Sequence, residues 1–163
     1  MFEIGQQVIH YREGISVIES TTKINNLDYF VVSSSINKDE RFFVLIDKTE
    51  NIIRPLMNED EAKEVIKFMA TIQPDFIKNT KQRRDCYKRC LTTGKAKDLC
   101  YLYKQLYFFR TFNERGEEVK MGPSDLQMLE QAKKMLLNEL VISLSSNLAD
   151  VEASIIKTFE QES

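Results

Sequence analysis

The chain has 163 residues, 42% hydrophobic and 29% charged, a composition typical of one ordinary folded domain or two small ones. No apolar run approaches the ~18 residues of a membrane-spanning helix, and the N-terminus lacks the basic and apolar regions of a signal peptide, so we expect a cytoplasmic protein without a membrane segment. The net charge of −2 is the sum of a basic segment and an acidic remainder. Residues 78–120 hold twelve of the 23 Lys and Arg but five of the 25 Asp and Glu, a net +7 against −9 elsewhere. Such a block is either an anion-binding surface or a solvated helix face.

The first 56 residues have the pattern of short strands separated by turns. Apolar, β-branched and aromatic residues concentrate in residues 7–11, 15–19 with 21–24 as an extension, 28–32, 41–46 and 52–56. Arg12-Glu13-Gly14 and Asn25-Asn26 are turn signals. Because so few strands bury little as an open sheet, we expect a small, curled, barrel-like antiparallel sheet.

After Met57 the apolar period changes from two to 3.6, which predicts helices. The first begins with the capping box Asn58-x-x-Glu61 and ends before Pro74. The others are expected from Asn79 or Thr80 to Thr93 with Gly94 as the stop, from residue 95 to 112, from Pro123 after a loop bracketed by Gly116 and Gly122, and from Asn147 to Phe159. The predicted class is α+β, with an N-terminal sheet domain at residues 1–57 and an all-helical domain of about five helices at 58–163.

Groups that could support catalysis are few. His10 is the single histidine, and no phosphate-binding glycine loop or HExxH motif occurs. The three cysteines are Cys86, Cys90 and Cys100; Cys86 and Cys90 are spaced i, i+4, but a metal would need more ligands, so buried thiols are the favoured interpretation. The sequence therefore predicts a binding protein, not an enzyme, with no cofactor.

The first candidate surface is the strand at residues 41–46, whose apolar run Phe42-Phe43-Val44-Leu45-Ile46 is unbroken. One face of this strand can enter the core, and the remaining face or edge is a plausible docking strand. The alternative is that the helical half covers it.

The second candidate surface is a basic cluster at the start of the second helix. Lys81, Arg84 and Lys88 fall at i, i+3 and i+7 and share a helix face. The cluster contains Lys78, Lys81, Arg83, Arg84, Lys88 and Arg89. Lys78 and Lys81 are near the helix N-terminus, where the dipole attracts phosphate, so the cluster suits a nucleic-acid backbone and not base edges.

Short motifs occur in a definite order along nearly the whole chain. The motifs in the sheet half are Met1-Phe2-x-Ile4-Gly5-x-x-Val8, Val17-Ile18, Phe43-Val44-Leu45-Ile46 and Ile53-Arg54-Pro55-Leu56. Those in the helical half are Glu59-x-Glu61-Ala62-x-x-Val65-Ile66, Lys81-x-Arg83-x-x-x-Tyr87, Leu91-x-x-Gly94, Lys104-x-Leu106-Tyr107, Asp125-x-x-x-Leu129-x-x-Ala132 and Leu136-x-x-Glu139-Leu140. Taken in this order, the motifs resemble those of the CarD family of bacterial transcription regulators.

The resemblance implies a Tudor-like N-terminal module that binds the β subunit of RNA polymerase, largely by extending a sheet edge. The residues it implies for this contact are Lys23, Arg41, Phe43 and Leu45. Leu45 stands where some relatives carry an Arg. A protein that acts in this way would be associated with the nucleoid through the polymerase. A monomer is expected, with domain swapping through the strand edges as the alternative.

The resemblance also implies that the helical domain contacts promoter DNA at the upstream edge of the melted region. The implied residues are Lys78, Thr80, Lys81, Arg83, Arg84, Lys88 and Arg89. Relatives wedge an aromatic side chain, usually Trp, into the minor groove. This chain has no Trp; Thr80 stands near the wedge position, and Phe76 is the nearest substitute. The expected function is control of open-complex stability, and the alternative is a protein-only adaptor of RNA polymerase.

Overall fold

The structure is a computed structural model that describes residues 1–35, 37–50, 52–114 and 121–161. The chain divides into two compact units, Met1–Leu56 and Met57–Ser163, next to the change of period at residue 57. A five-stranded antiparallel sheet precedes five helices in the described residues, which confirms the α+β class. The predicted loop after Gly116 is mostly outside the described residues. Within the described ranges, no helix is long and apolar enough to cross a membrane.

The first unit is an antiparallel sheet in which the first four strands pair with their neighbours in sequence and the fifth pairs with the first. Its strands are β1 (Gln7–His10), β2 (Gly14–Ile24), β3 (Leu27–Ser34), β4 (Arg41–Leu45) and β5 (Ile53–Pro55), in the order β4-β3-β2-β1-β5. Asn25 and Asn26 have φ of 50° and 66° and form the two-residue turn between β2 and β3, as their turn chemistry predicts. β4 and β5 are the end strands of this order, so pairing among the described residues does not close the sheet into a barrel.

One face of the sheet carries the core of the first unit. The buried side chains are Val8, Ile18, Phe30, Val32, Val44 and Ile53, and every strand contributes at least one. The pairing of β2 with β3 is irregular between Ile18 and Ser20, where a bulge inserts one residue. A bulge reverses the side to which each following residue points. Even-numbered side chains of β2 therefore lie on the core side before the bulge and odd-numbered ones after it, where Thr21 and Lys23 are exposed.

The second unit is helical. Its helices are α1 (Glu59–Thr71), α2 (Thr80–Thr93), α3 (Ala96–Glu114), α4 (Pro123–Ser143) and α5 (Leu148–Glu160). The predicted caps are confirmed: Asn58 and Glu61 form the capping box of α1, and Asn147 caps α5. Gly94 ends α2 in the left-handed conformation at φ 62°.

Buried charged side chains form hydrogen bonds with backbone groups inside the second unit, as Lys104 and Glu139 show. Lys104 of α3 is 1% exposed, and its ammonium group donates to the carbonyl oxygens of Met69 and Ala70 at 2.8 and 3.2 Å. These carbonyls lie at the C-terminal end of α1 and have no partner within the helix. Glu139 of α4 is also 1% exposed and accepts a hydrogen bond from the N–H of Met57 at 2.9 Å.

His10 is a buried structural residue of the sheet unit. Its ring is 6% exposed and stacks on Phe42 with the centroids 5.1 Å apart. Its Nδ1 accepts hydrogen bonds from the backbone N–H groups of Arg12 and Glu13 at 3.2 and 3.3 Å. Burial, and then the charge of Arg12, lower the pKa of His10 from its ordinary value of 6.5. Protonation would remove the acceptor that holds this turn.

Because the pKa of His10 is lower in the folded chain than in the unfolded chain, its contribution to stability is present above the unfolded value of 6.5 and is lost as the pH falls toward the folded value. We expect amide protection in β1 and β2, corrected for intrinsic exchange rates, to decrease between about pH 7.5 and about pH 5.5. The substitution His10→Gln should flatten this dependence, with the helical amides as internal control. An equal loss of protection in the variant would contradict the assignment.

Candidate nucleic-acid interface

Helix α2 has one buried stripe and one exposed, strongly basic side. Arg83 and Tyr87 are its buried residues, 5% and 0% exposed. We define the basic face as the exposed cations on and just before α2: Lys78, Lys81, Arg84, Lys88 and Arg89. None of these five makes an ion pair with another residue in the described part of the chain. Their charge is therefore available to a mobile anion.

The geometry of the basic face suits a row of phosphates. Lys81 and Lys88 are seven residues apart, so at ~1.5 Å per residue their backbone positions are about 10 Å apart along the helix. Asn79 caps the helix by accepting from the N–H of Gln82 at 2.9 Å. Thr80, the first residue of α2, is exposed beside this end, where the helix dipole adds positive potential. The arrangement favours anions spread along a line.

Arg83 is buried, unlike the other cations predicted to contact DNA. Its assignment to the exposed basic cluster is therefore wrong. Its Nε donates to Oδ2 of Asp125 at 2.8 Å, and both side chains are buried. Its Nη1 donates to the carbonyl oxygen of Ile77 at 2.9 Å. A buried guanidinium needs a paired carboxylate and further acceptors, and Arg83 has both. It binds the helical unit together and presents no charge to solvent.

Phe76, the predicted wedge substitute, is packed into the helical unit. Its ring contacts Phe109 edge to face with the centroids 5.0 Å apart, and the guanidinium carbon of Arg83 lies 4.8 Å from its centroid. The preceding Asp75 accepts hydrogen bonds from Tyr101 Oη at 3.0 Å and Gln105 Nε2 at 3.1 Å. These contacts hold the segment between α1 and α2 on α3, so in this conformation Phe76 does not project from the surface.

The predicted polymerase-binding residues occupy both faces of the sheet. Arg41, Phe43 and Leu45 alternate on β4 and point away from the core, because their neighbour Val44 pairs with the core residue Phe30. Phe43 is 55% exposed. Arg41 Nε lies 2.7 Å from Glu19 Oε2. Lys23 pairs in register with Asp28, beyond the core on the opposite face, so the structure does not bring it together with the other three.

The structure adds apolar residues that the sequence did not single out. Ile24 and Leu27 are 39% and 48% exposed and lie on the same side of the sheet as Phe43. We define the outer sheet face as Ile24, Leu27, Tyr29, Val31, Phe43 and Leu45. If side chains alternated regularly from the core residue Ile18, Ile24 would point into the core. The bulge after Ile18 reverses the alternation, so Ile24 points to the other face. No residue type in β2 marks that bulge.

The described residues contain no group of three or more His, Cys, Asp and Glu side chains arranged to hold a metal ion. Cys86 and Cys90 are half-buried on α2, and Cys100 is buried on α3. The candidate interface residues form two surfaces, one basic and one apolar, and each is carried by its own unit.

Comparison of the chain with protein-family models and with curated proteins gave no match.

The buried pair Arg83–Asp125 should be essential to the helical unit. Removing one partner of a buried ion pair leaves the other charge uncompensated, so we expect Arg83→Met to lower the free energy of unfolding by about 3–5 kcal/mol. The neighbouring Arg84→Met is the matched control, since Arg84 is exposed, and should change it by about 0.5 kcal/mol or less. Urea unfolding followed by helical circular dichroism measures both. Equal, small effects would show that the pair does not stabilise the unit.

Proposed function

We propose that this protein is a CarD-like transcription regulator, which binds the β subunit of RNA polymerase through its sheet unit and promoter DNA through the basic face, and thereby alters open-complex stability. The observation that carries the proposal is the basic face itself. Five exposed cations lie on one side of α2 and before it, without acidic partners among the described residues. The resemblance of the chain to the CarD family supports the choice of DNA as the anion.

The basic face would hold the DNA backbone and would not read its sequence. Lys and Arg contact phosphates through charge, and each phosphate contact releases condensed counterions. The exposed members of the face are cations, and the aromatic candidate Phe76 is packed against Phe109. Binding should therefore be sequence-independent and strongly weakened by salt.

The sheet unit would dock through β4. Only β3 pairs with it among the described strands, so its outer edge can accept a further strand. The antiparallel order is compatible with a Tudor-like module, which is the assignment we propose. Phe43, with Leu45 beside it, offers apolar area next to that edge, while Glu19 neutralises Arg41. An incoming strand would gain backbone hydrogen bonds from the edge and side-chain burial from the outer sheet face.

The packing of Phe76 favours a second candidate, the protein-only adaptor. With Phe76 held between Phe109 and Arg83, the predicted substitute for the wedge is engaged in packing within the helical unit. A regulator without a wedge would act by holding upstream DNA in place. An adaptor would leave DNA untouched and use its exposed helical surfaces for another protein. The two candidates differ in whether the basic face matters.

The substitutions Arg84→Glu and Lys88→Glu together should weaken DNA binding and lower the slope of log affinity against log salt by about 2, because two phosphate contacts are lost. Fluorescence anisotropy with duplexes of unrelated sequence measures both quantities. The matched control is Lys63→Glu with Lys67→Glu, two exposed lysines of α1. If the Arg84 and Lys88 variant retains DNA at low salt, or the control is equally weakened, the adaptor is the better account.

Phe43→Glu should reduce binding of the isolated β subunit by about tenfold or more, because it places a charge in the buried part of the proposed contact. Ile142→Glu on α4 is the control, since Ile142 is 42% exposed and apolar but lies in the other unit. Titration of labelled protein with β subunit at high salt separates this contact from DNA binding. Unchanged affinity for Phe43→Glu would remove β4 from the interface.

A further inference from the structure

Cys86 and Cys90 form a pair of thiols on α2 that neither proposed surface uses. They are one helical turn apart, both are half-buried, and each flanks the buried stripe that contains Tyr87. Residues four apart on a helix are neighbours on its surface, so the two side chains lie next to each other. Cys100 lies on a different helix and is 0% exposed, so it provides an internal comparison.

The spacing of the two thiols is wrong for an unstrained disulfide. Side chains at i and i+4 on a helix have Cβ atoms about 5–6 Å apart, whereas a disulfide requires about 3.5–4.5 Å. A single atom placed between the two sulfurs matches the wider separation.

The ligand should bind thiols in pairs and need no third protein group. Zinc requires four ligands, and no cluster of three exists among the described residues. Trivalent arsenic forms two bonds to sulfur and keeps an oxygen or carbon substituent as its third. We propose that Cys86 and Cys90 form a chelating two-thiol site for a trivalent metalloid of the arsenic(III) class.

The protonation state of Cys90 suits this ligand better than it suits reaction with an oxidant. Burial raises the pKa of Cys90 to about 12, and the neighbouring Cys86 and Asp98 add to the rise. Thiolates, not thiols, attack peroxides and alkylating reagents, so Cys90 should react slowly with both. Exchange with an arsenic(III) oxide starts from thiols, because its oxygen leaves with their protons.

Phenylarsine oxide is a suitable probe. The arsenic–oxygen bond and two S–H bonds break, two As–S bonds form, and the oxygen leaves with both protons as one water molecule. Arsenic stays in the +3 state, so no oxidant or reductant is consumed. One protein should bind one phenylarsenic group across the turn that contains Lys88 and Arg89.

Tryptic cleavage of the wild-type adduct identifies the bridged residues directly. Cleavage after Arg84, Lys88, Arg89 and Lys95 places Cys86 in peptide 85–88 and Cys90 in peptide 90–95. The proposal predicts that mass spectrometry finds these two peptides joined by one phenylarsenic group. A bridge that involves peptide 98–104, which carries Cys100, or separate peptides without a bridge, would overturn it.

Variants give an independent readout. Cys86→Ser and Cys90→Ser, each tested separately, should lose the adduct on washing with excess monothiol, while Cys100→Ser keeps it and releases it only to a dithiol. Circular dichroism establishes that each variant is folded. Retention of the adduct by either folded α2 variant, or its loss from the folded Cys100→Ser protein, would contradict a chelate between Cys86 and Cys90.

Discussion

The buried ion pair between Arg83 and Asp125 is the interaction on which the helical unit depends. It joins the first turn of α2 to the first turn of α4, and Arg83 also holds the carbonyl of Ile77 in the segment that leads into α2. The guanidinium covers one side of the Phe76 ring. Once Arg83 and Tyr87 point inward, helical geometry directs Lys81, Arg84 and Lys88 outward. The buried ion pair therefore determines which side of α2 faces solvent, and this is the side that we propose to bind DNA.

The sequence predicted features that depend on neighbouring residues. The capping box at Asn58 and Glu61, the turn at Asn25 and Asn26, and the stop at Gly94 were all predictable because short-range chemistry determines them. Features that depend on distant partners were not. Arg83 has the same side-chain chemistry as Arg84, and only the position of Asp125, 42 residues later, separates the buried arginine from the exposed one.

The sheet illustrates the same limit. The strands follow from their composition, but one extra residue after Ile18 decides which side of β2 meets the core. The exposed pair Ile24 and Leu27 joins Phe43 on the outer sheet face for that reason. Likewise, Phe76 has the aromatic ring that a wedge requires, but this ring packs against the buried Phe109 on α3. A regulator built in this way would hold DNA by charge and dock by its sheet, without prying base pairs apart.

The most direct test of this account is the lifetime of a promoter open complex, measured after competitor challenge with and without the protein. The wild-type protein should lengthen the lifetime. A variant with Lys81, Arg84 and Lys88 reversed to Glu should still bind RNA polymerase but leave the lifetime unchanged. If the wild-type protein binds the polymerase without altering the lifetime, or if the reversed variant lengthens it equally, the basic face does not carry the function that we propose.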